Sequence, residues 1–377
     1  MRSLLAAAFA LLLIGGVATA QGSLSAGGLG YPPGQMSARA EGAGGALADF
    51  DPMSLVAPAA LAGVGVASVF LQYSPEFRRV TAGSNTAKTT TARFPLVSGV
   101  LPMGQQWTFG LSSSTFLDRS YETSLDRRAN IGSPADTFDL TERTRVLGAI
   151  NDVRMAFAWA RSPLFRLGFG GHVFVGSNRV TFSQLFPDST FFLSSSQTSR
   201  VSYAGFAGSV GAEFHPSRVI GFSVSGRVGG DLRAEVADTL IGKAKIPTHY
   251  SASVMYEGLT GVTLSARVAH DAWSSLADIS PGRVSAFDGW DESFGAEASG
   301  PRFLQRTITV RGGARFRTLP FGFNGNKVSE KSVMLGLGAP LARDRASFDF
   351  ALQRAMRTSA DINERGFVLS FGLRVSP

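Results

Sequence analysis

Hydrophobic and polar residues alternate over much of the chain. Val262, Leu264, Ala266 and Val268 interleave with Thr263, Ser265 and Arg267, and Val153, Met155, Phe157 and Trp159 with Arg154, Ala156 and Ala158. Ile308, Val310, Ala314 and Phe316 stand against Thr307, Thr309, Arg311, Arg315 and Arg317. The C-terminus repeats the pattern, with Phe367, Leu369, Phe371, Leu373 and Val375 opposed to Ser370, Gly372 and Arg374. Successive side chains of a strand point to opposite faces, so each segment has one greasy side and one polar side. The chain is therefore all-β. A water-soluble sandwich carries the same alternation, so this pattern alone does not place it.

The connections do. Fourteen segments begin near Gly63, Thr89, Gln106, Glu142, Phe165, Arg200, Val219, Pro247, Thr260, Phe287, Leu304, Ser332, Ser347 and Asn363. After even-numbered segments the links are short and often contain proline: Pro102 to Gly104, Ser162-Pro163, His215 to Ser217, Glu257-Gly258, Gly300-Pro301 and Leu341 to Asp344. After the third, fifth, ninth and eleventh they are long and polar: Tyr121 to Leu140, Gln184 to Ser199, Ser274 to Ala286 and Leu319 to Glu330. Short turns on one rim and long loops on the other mark an outer-membrane barrel with an even strand count. Backbone amides in hydrocarbon must be satisfied internally, which a closed ring of strands achieves. Strand glycines such as Gly168, Gly170, Gly171, Gly312 and Gly313 then relieve crowding on the lumen side or permit bends. The expected fold is a 14-stranded antiparallel transmembrane β-barrel over 63–377. The uncharged stretch Pro52 to Pro75 is long enough for a spanning helix, but Pro58, Gly63 and Gly65 break it. It reads as a broken segment leading into the first strand.

Composition sharpens this picture. Charged residues make up 17% of the chain, against about 25% in ordinary soluble domains. There is no cysteine, which removes disulfides, thiolate metal sites and cysteine nucleophiles. The formal charge of +8 suits nucleic acid or an anionic membrane surface. The N-terminus decides between them. Arg2, the 11-residue apolar run Leu4 to Ile14, Gly15-Gly16 and Ala18-Thr19-Ala20 form a secretory signal peptide over 1–20, cleaved after Ala20. An exported chain does not meet genomic DNA, so no nucleic-acid partner is expected.

Residues 21–62 do not alternate. They carry Glu41-Gly42-Ala43-Gly44-Gly45-Ala46, Asp49-Phe50-Asp51 and Pro58-Ala59-Ala60-Leu61, along with apolar Met53, Leu55 and Val56 that a loose tail does not need. Here the sequence resembles the FadL-like family of outer-membrane long-chain fatty-acid transporters. The likeness extends in outline over the mature chain through the strand count and the proline-containing short turns. It implies an N-terminal hatch (21–62) folded inside the lumen, with Gly42, Gly44, Gly45, Asp49, Pro58 and Ala59 at the hatch or gate. It also implies entry of hydrophobic substrates such as fatty acids from outside, and release through hatch movement and a sideways opening in the wall. Where the family has Asn-Pro-Ala, this chain has Ala57-Pro58-Ala59, so one side-chain hydrogen bond is absent.

The remaining candidates bear on binding rather than catalysis. Phe182, Phe186, Phe191 and Phe192 lie in a stretch expected to face outside, where an apolar patch marks capture of a greasy ligand or packing against other loops. Arg311, Arg315 and Arg317 share one strand face, either as a wall balanced by acids or as contacts for a carboxylate head group. None of the four histidines falls in a metal spacing, and no nucleophile elbow is present. Triads are set by geometry rather than sequence position, so a Ser/His/Asp membrane esterase stays open, though nothing in the sequence points to one. No cofactor is implied, and the chain reads as a non-enzyme. The expectation is a monomeric outer-membrane protein, in contact with outer-membrane lipid and lipopolysaccharide, for passive uptake of long-chain fatty acids or other hydrophobic small molecules. The alternative is a secretion-associated barrel acting as a protein-binding shuttle or scaffold.

Overall fold

A computed structural model describes residues 29–82, 85–130, 137–186, 193–280, 285–303, 306–323, 325–342, 345–359 and 362–376. The signal peptide expected over 1–20 lies outside these residues.

The strands run in chain order as β1 (Ser68–Ala82), β2 (Asn85–Met103), β3 (Trp107–Asp118), β4 (Tyr121–Asn130), β5 (Thr137–Ser162), β6 (Phe165–Leu185), β7 (Ser195–Ser217) and β8 (Ile220–Val236). They continue as β9 (Thr239–Lys245), β10 (His249–Leu259), β11 (Val262–Asp271), β12 (Gly289–Phe303), β13 (Arg306–Phe323), β14 (Asn326–Leu341), β15 (Ala346–Ser359) and β16 (Ile362–Val375). All pairings are antiparallel. β3 and β4 both pair with β5 and form one wall strand broken at Arg119-Ser120. β9 and β10 both pair with β8 and form another, broken around Pro247. β16 returns to β1, from Val69 opposite Val375 to Ala82 opposite Ile362, and closes the ring. The sixteen segments therefore make the fourteen-stranded barrel that the alternation requires.

The pleat decides which side each residue faces. On β14, Val333, Leu335 and Leu337 are exposed on the outer face, and Ser332, Met334 and Gly336 point inward. Val69, Leu71, Phe169, Val210, Phe222 and Phe294 continue the same outer band on other strands. A band of this size would be unfavourable in water by about 25 cal/mol per Å² and is stable only against hydrocarbon. Trp107 and Trp159, with ring centroids 6.3 Å apart, sit at the short-turn rim, as girdle aromatics do.

Several expected boundaries move. β1 begins at Ser68 rather than Gly63, after a 3-10 helix η1 over Pro58–Gly63 that Pro58 initiates. No helix among the described residues is long and apolar enough to cross a membrane. Among the described residues, three of the four expected long loops contain strand. Tyr121–Asn130 pairs with residues 137–146, Gln184 and Leu185 still belong to β6, and β13 runs to Phe323 before β14 resumes at Asn326. Beyond the hydrocarbon both faces of a ladder are wet. Alternation then has no reason to persist, and the strand reads as a polar loop. Ser195 to Arg200 shows this, with every residue exposed and hydroxyl pairs Thr181–Thr198 and Ser183–Ser196 across the ladder.

Candidate functional site

Residues from Leu29 to Val64 touch wall strands around the whole ring, so this segment lies inside it. Its short helix α1 (Ala38–Gly42) is capped by Ser37, whose Oγ accepts from the Ala40 amide at 3.2 Å. Ser37 also donates to Asp51, and Ser54 donates to the same carboxylate at 2.8 Å, which ties the segment to itself. After α1 the chain reverses through Gly44 (φ +71°) and Gly45 (φ +86°), a left-handed backbone that side chains disfavour.

Glycine meets glycine where the segment touches the wall. A Cβ on Gly42 would lie 2.9 Å from the Gly336 Cα, and one on Gly44 would lie 2.7 Å from the Ala314 nitrogen. Ala43 presses on Gly295 and Gly313, and Pro58-Ala59 on Gly168 and Gly211. Asp49 is fully buried, accepts from Ser251 at 3.1 Å and from Ser253, and lies 3.3 Å from the Arg267 Nε. All six residues proposed for the hatch thus sit at or beside the seam between segment and wall. Ala57, in place of the family's Asn, leaves η1 with no side-chain cap.

Tyr31 is the most heavily tied residue of the segment. Its buried ring lies under the guanidiniums of Arg357 (4.5 Å), Arg78 (4.9 Å), Arg93 (5.2 Å) and Arg317 (5.4 Å). Its hydroxyl accepts from Arg317 at 2.6 Å and Arg357 at 2.8 Å. Glu76, Glu330 and Glu364 interleave with these arginines. Tyr31 also exchanges both backbone hydrogen bonds with Asp118, each 2.8 Å. That bridge stands at an interruption in the wall. β2 and β3 are in register from Met103–Trp107 to Leu96–Ser114, and among the described residues no ladder pair joins them beyond that point. The Arg93–Asp118 pair (2.6 Å) and Tyr31 span the gap.

The three arginines on β13 are all buried and already partnered. Arg311 bonds Glu297 and Asp349, both at 2.6 Å, Arg315 bonds Asp291 at 2.8 Å, and Arg317 bonds Glu330 at 2.6 Å. A ligand carboxylate would compete with these acids. Phe182 lies on β6 with the inward parity of His172 and Phe174 but is exposed near the long-loop end, and Phe186 follows the strand. Phe191 and Phe192 lie outside the described residues.

Glu41, in α1, accepts from Gln72 at 3.2 Å. Loss of water raises its carboxyl from 4.5 to about 7, opposed by hydrogen bonds from Ser370 and Gln72 and by the charges of Arg315 and Arg317. The folded carboxyl therefore holds its proton more tightly than the unfolded one. Its destabilising effect is absent below pH 4.5, grows as pH rises to about 7, and is constant above. In urea titrations from pH 4 to 8, Glu41→Gln should flatten that decline relative to the parent chain. Parallel curves would exclude Glu41 as its source.

Above the segment lies a cavity of about 90 Å³. Met36 and Leu55 form part of its floor, and Phe116, Trp273, Leu319, His172, Ser209 and Arg227 are among its walls. Phe116 stacks on Trp273 at 5.2 Å and meets Phe174 edge-on at 4.8 Å. These rings belong to a buried apolar cluster with Leu29, Leu232, Ile246, Leu276 and Ile279. Sequence reading missed it. The only available signal was a large apolar residue at an inward parity position, as at Phe174, where a polar one is the rule.

No family model and no curated protein sequence matches the chain. Solved structures do. A Pseudomonas aeruginosa FadL homologue superposes with a TM-score of 0.63 at 15% identity, covering 92% of this chain and 100% of that one. The fold is the FadL type. The Ralstonia pickettii toluene transporter TbuX gives 0.60 at 15% identity, covering 94% and 100%. The Pseudomonas putida toluene transporter TodX gives 0.58 at 14%, covering 92% and 98%. A FadL-type barrel of this kind, with a filled lumen and an apolar cluster inside the ring, sets the terms for function.

Proposed function

We propose that this protein is an outer-membrane channel for passive uptake of hydrophobic small molecules, exported with cleavage after Ala20 and oriented with its long-strand rim outward. Residues 21–62 act as the hatch, and the chain works as a monomer ringed by outer-membrane lipid and lipopolysaccharide. The observation that carries this reading is the cluster of Phe116, Phe174, Trp273 and Leu276, an apolar station inside the ring of which Phe116 and Trp273 line the cavity. Such a station retains a greasy solute and gives nothing to ions or sugars. Phe182, Phe186, Phe191 and Phe192 would feed it. The β2–β3 interruption gives a route to the side once the segment around Tyr31 yields.

Size bears on the substrate. The cavity of about 90 Å³ is smaller than the ~150 Å³ that admits benzene, so a single ring needs only small displacements. A long-chain fatty acid would enter tail first, with its carboxylate near Arg227 or Arg315. Uptake of labelled toluene and labelled oleate by cells lacking their own channels tests both. Expression should raise uptake of at least one, and Phe116→Asp should lower it by about ten- to hundredfold, the cost of one lost aromatic contact plus a charge in the pocket. Uptake that is unchanged by expression, or indifferent to Phe116→Asp, overturns the reading.

A further inference from the structure

Three polar residues on adjacent strands meet at one wall of the same cavity, His172 and Ser209 lining it and Asp152 buried behind them. The His172 Nδ1 lies 2.9 and 3.0 Å from the two Asp152 carboxylate oxygens, and its Nε2 lies 2.8 Å from the Ser209 Oγ. Asp152 comes from β5, His172 from β6 and Ser209 from β7, separated by tens of residues in sequence but side by side in the wall. Asp152 is completely buried and also accepts from Gln35 of the N-terminal segment at 2.7 Å. The carboxylate under Nδ1 holds the proton there, which leaves Nε2 to accept from the serine hydroxyl.

Two further features suit chemistry better than simple wall packing. Gly170, opposite Ser209 in the ladder, leaves space that a side chain would take, since its Cβ would fall 2.5 Å from the Ser209 Oγ. Arg227 is opposite Ser209 on the other side, lines the cavity, and keeps a buried Nε with no hydrogen-bond partner among the described residues. An unpaired buried donor is costly, so the Arg227 Nε–H facing the cavity marks a place where a ligand oxygen belongs.

We infer that Ser209, His172 and Asp152 form a nucleophilic triad that hydrolyses small hydrophobic carboxylic esters in the lumen, with Arg227 stabilising the oxyanion. The Ser209 Oγ attacks the ester carbonyl carbon as its proton passes to the His172 Nε2, and the negative charge moves to the carbonyl oxygen beside the Arg227 Nε–H. Collapse breaks the bond to the alcohol oxygen, which takes the proton from His172 and leaves. Water, the co-substrate, then attacks the acyl-serine, gives its proton through His172 to Ser209, and releases the carboxylic acid. The sum is ester plus water to acid plus alcohol. The aromatic wall of Phe116 and Trp273 fixes the substrate class as apolar and small. None of these steps needs transport, so purified protein in detergent reports on the triad even if the uptake reading fails.

The experiment treats the full mature chain with a small fluorophosphonate and with p-nitrophenyl butyrate. A phosphonyl adduct should map to Ser209 by peptide mass spectrometry. Ester turnover should fall about a thousandfold or more in Ser209→Ala, and by a comparable factor in Asp152→Asn, with heat-modifiable gel mobility retained. A merely structural Ser–His–Asp network would give no adduct on the parent chain, a readout that does not depend on any variant folding. Absence of that adduct, or turnover unchanged by Ser209→Ala, overturns the proposal.

Discussion

Arg357→Met should destabilise the folded barrel by about 3–5 kcal/mol, the cost of removing one member of a buried ion cluster. Arg357 is 1% exposed and serves four partners at once. It donates to Glu330 at 2.5 Å, Glu76 at 2.9 Å, the Tyr31 hydroxyl at 2.8 Å, and Glu364. Methionine fills similar space but leaves three carboxylates with less positive charge and no water to replace it. The defect should also be local. Tyr31 loses a bond to its hydroxyl and the nearest of its four cations, so the N-terminal segment loosens where it spans the β2–β3 interruption. The comparison variant is Arg128→Met. Its pair with Asp139, 3.1 Å apart, is more than two-thirds exposed on both sides, and its loss should cost about 0–1 kcal/mol. Equilibrium unfolding in urea of both variants, refolded into the same lipid, checks the ranking. Equal midpoints would show that the Tyr31 cluster contributes no more than a surface pair.

The wall was legible in the sequence because hydrocarbon on one side and water or ion pairs on the other impose period two. The starts expected at Phe165, Val219, Ser347 and Asn363 fall on or beside the observed Phe165, Ile220, Ala346 and Ile362. Legibility failed where that contrast fades. Residues 121–140 read as a loop because most of the described residues there are wet on both faces, and 319–330 because the buried inner face of Leu319, Phe321 and Val328, packed on Tyr31, is broken by polar residues around the turn at Gly325. The lumen was harder still. Arg311, Arg315 and Arg317 were visible as a stripe, but their partners Glu297, Asp291 and Glu330 sit on neighbouring strands, and only register says which acid faces which arginine. Tyr31 reaches a carboxylate 299 residues away, a contact that no local pattern encodes. Ser209, His172 and Asp152 are ordinary inward-facing residues one by one. The interruption between β2 and β3 is likewise a property of pairing, not of either strand's composition.

Deleting residues 21–51 should convert a poorly conducting barrel into an open one without unfolding it. The ring does not depend on the segment for closure, since every wall strand keeps its two neighbours and β16 still pairs with β1. The wall also keeps its own ion pairs, among them Arg311–Asp349, Arg315–Asp291 and Arg93–Asp118. Groups that lose partners include Glu297, which gives up Arg39; Ser251, Ser253 and Arg267, which give up Asp49; Arg317, Arg357 and Asp118, which give up Tyr31; and Asp152, which gives up Gln35. Water entering the lumen can hydrate each of them, so the penalty for an unpaired buried charge does not apply in full. The truncated chain retains Met53, Leu55, Leu61 and Val64, packed on Phe70, Leu96, Val100 and Ala156. That remnant blocks one side of the lumen and leaves the side formerly filled by α1, against β13 to β16, open. In planar bilayers the deletion should give steady ohmic conductance where the full chain gives little, with the heat-modifiable gel shift of a folded barrel in both. The glycine seam predicts where the new aqueous path runs. Along that seam, Ser370→Cys on β16, a near-isosteric change at a hydroxyl that meets Glu41 of α1 in the intact protein, should react with a water-soluble thiol reagent only in the deletion. A folded barrel with unchanged conductance and an unreactive cysteine would show that residues 21–51 do not plug the lumen.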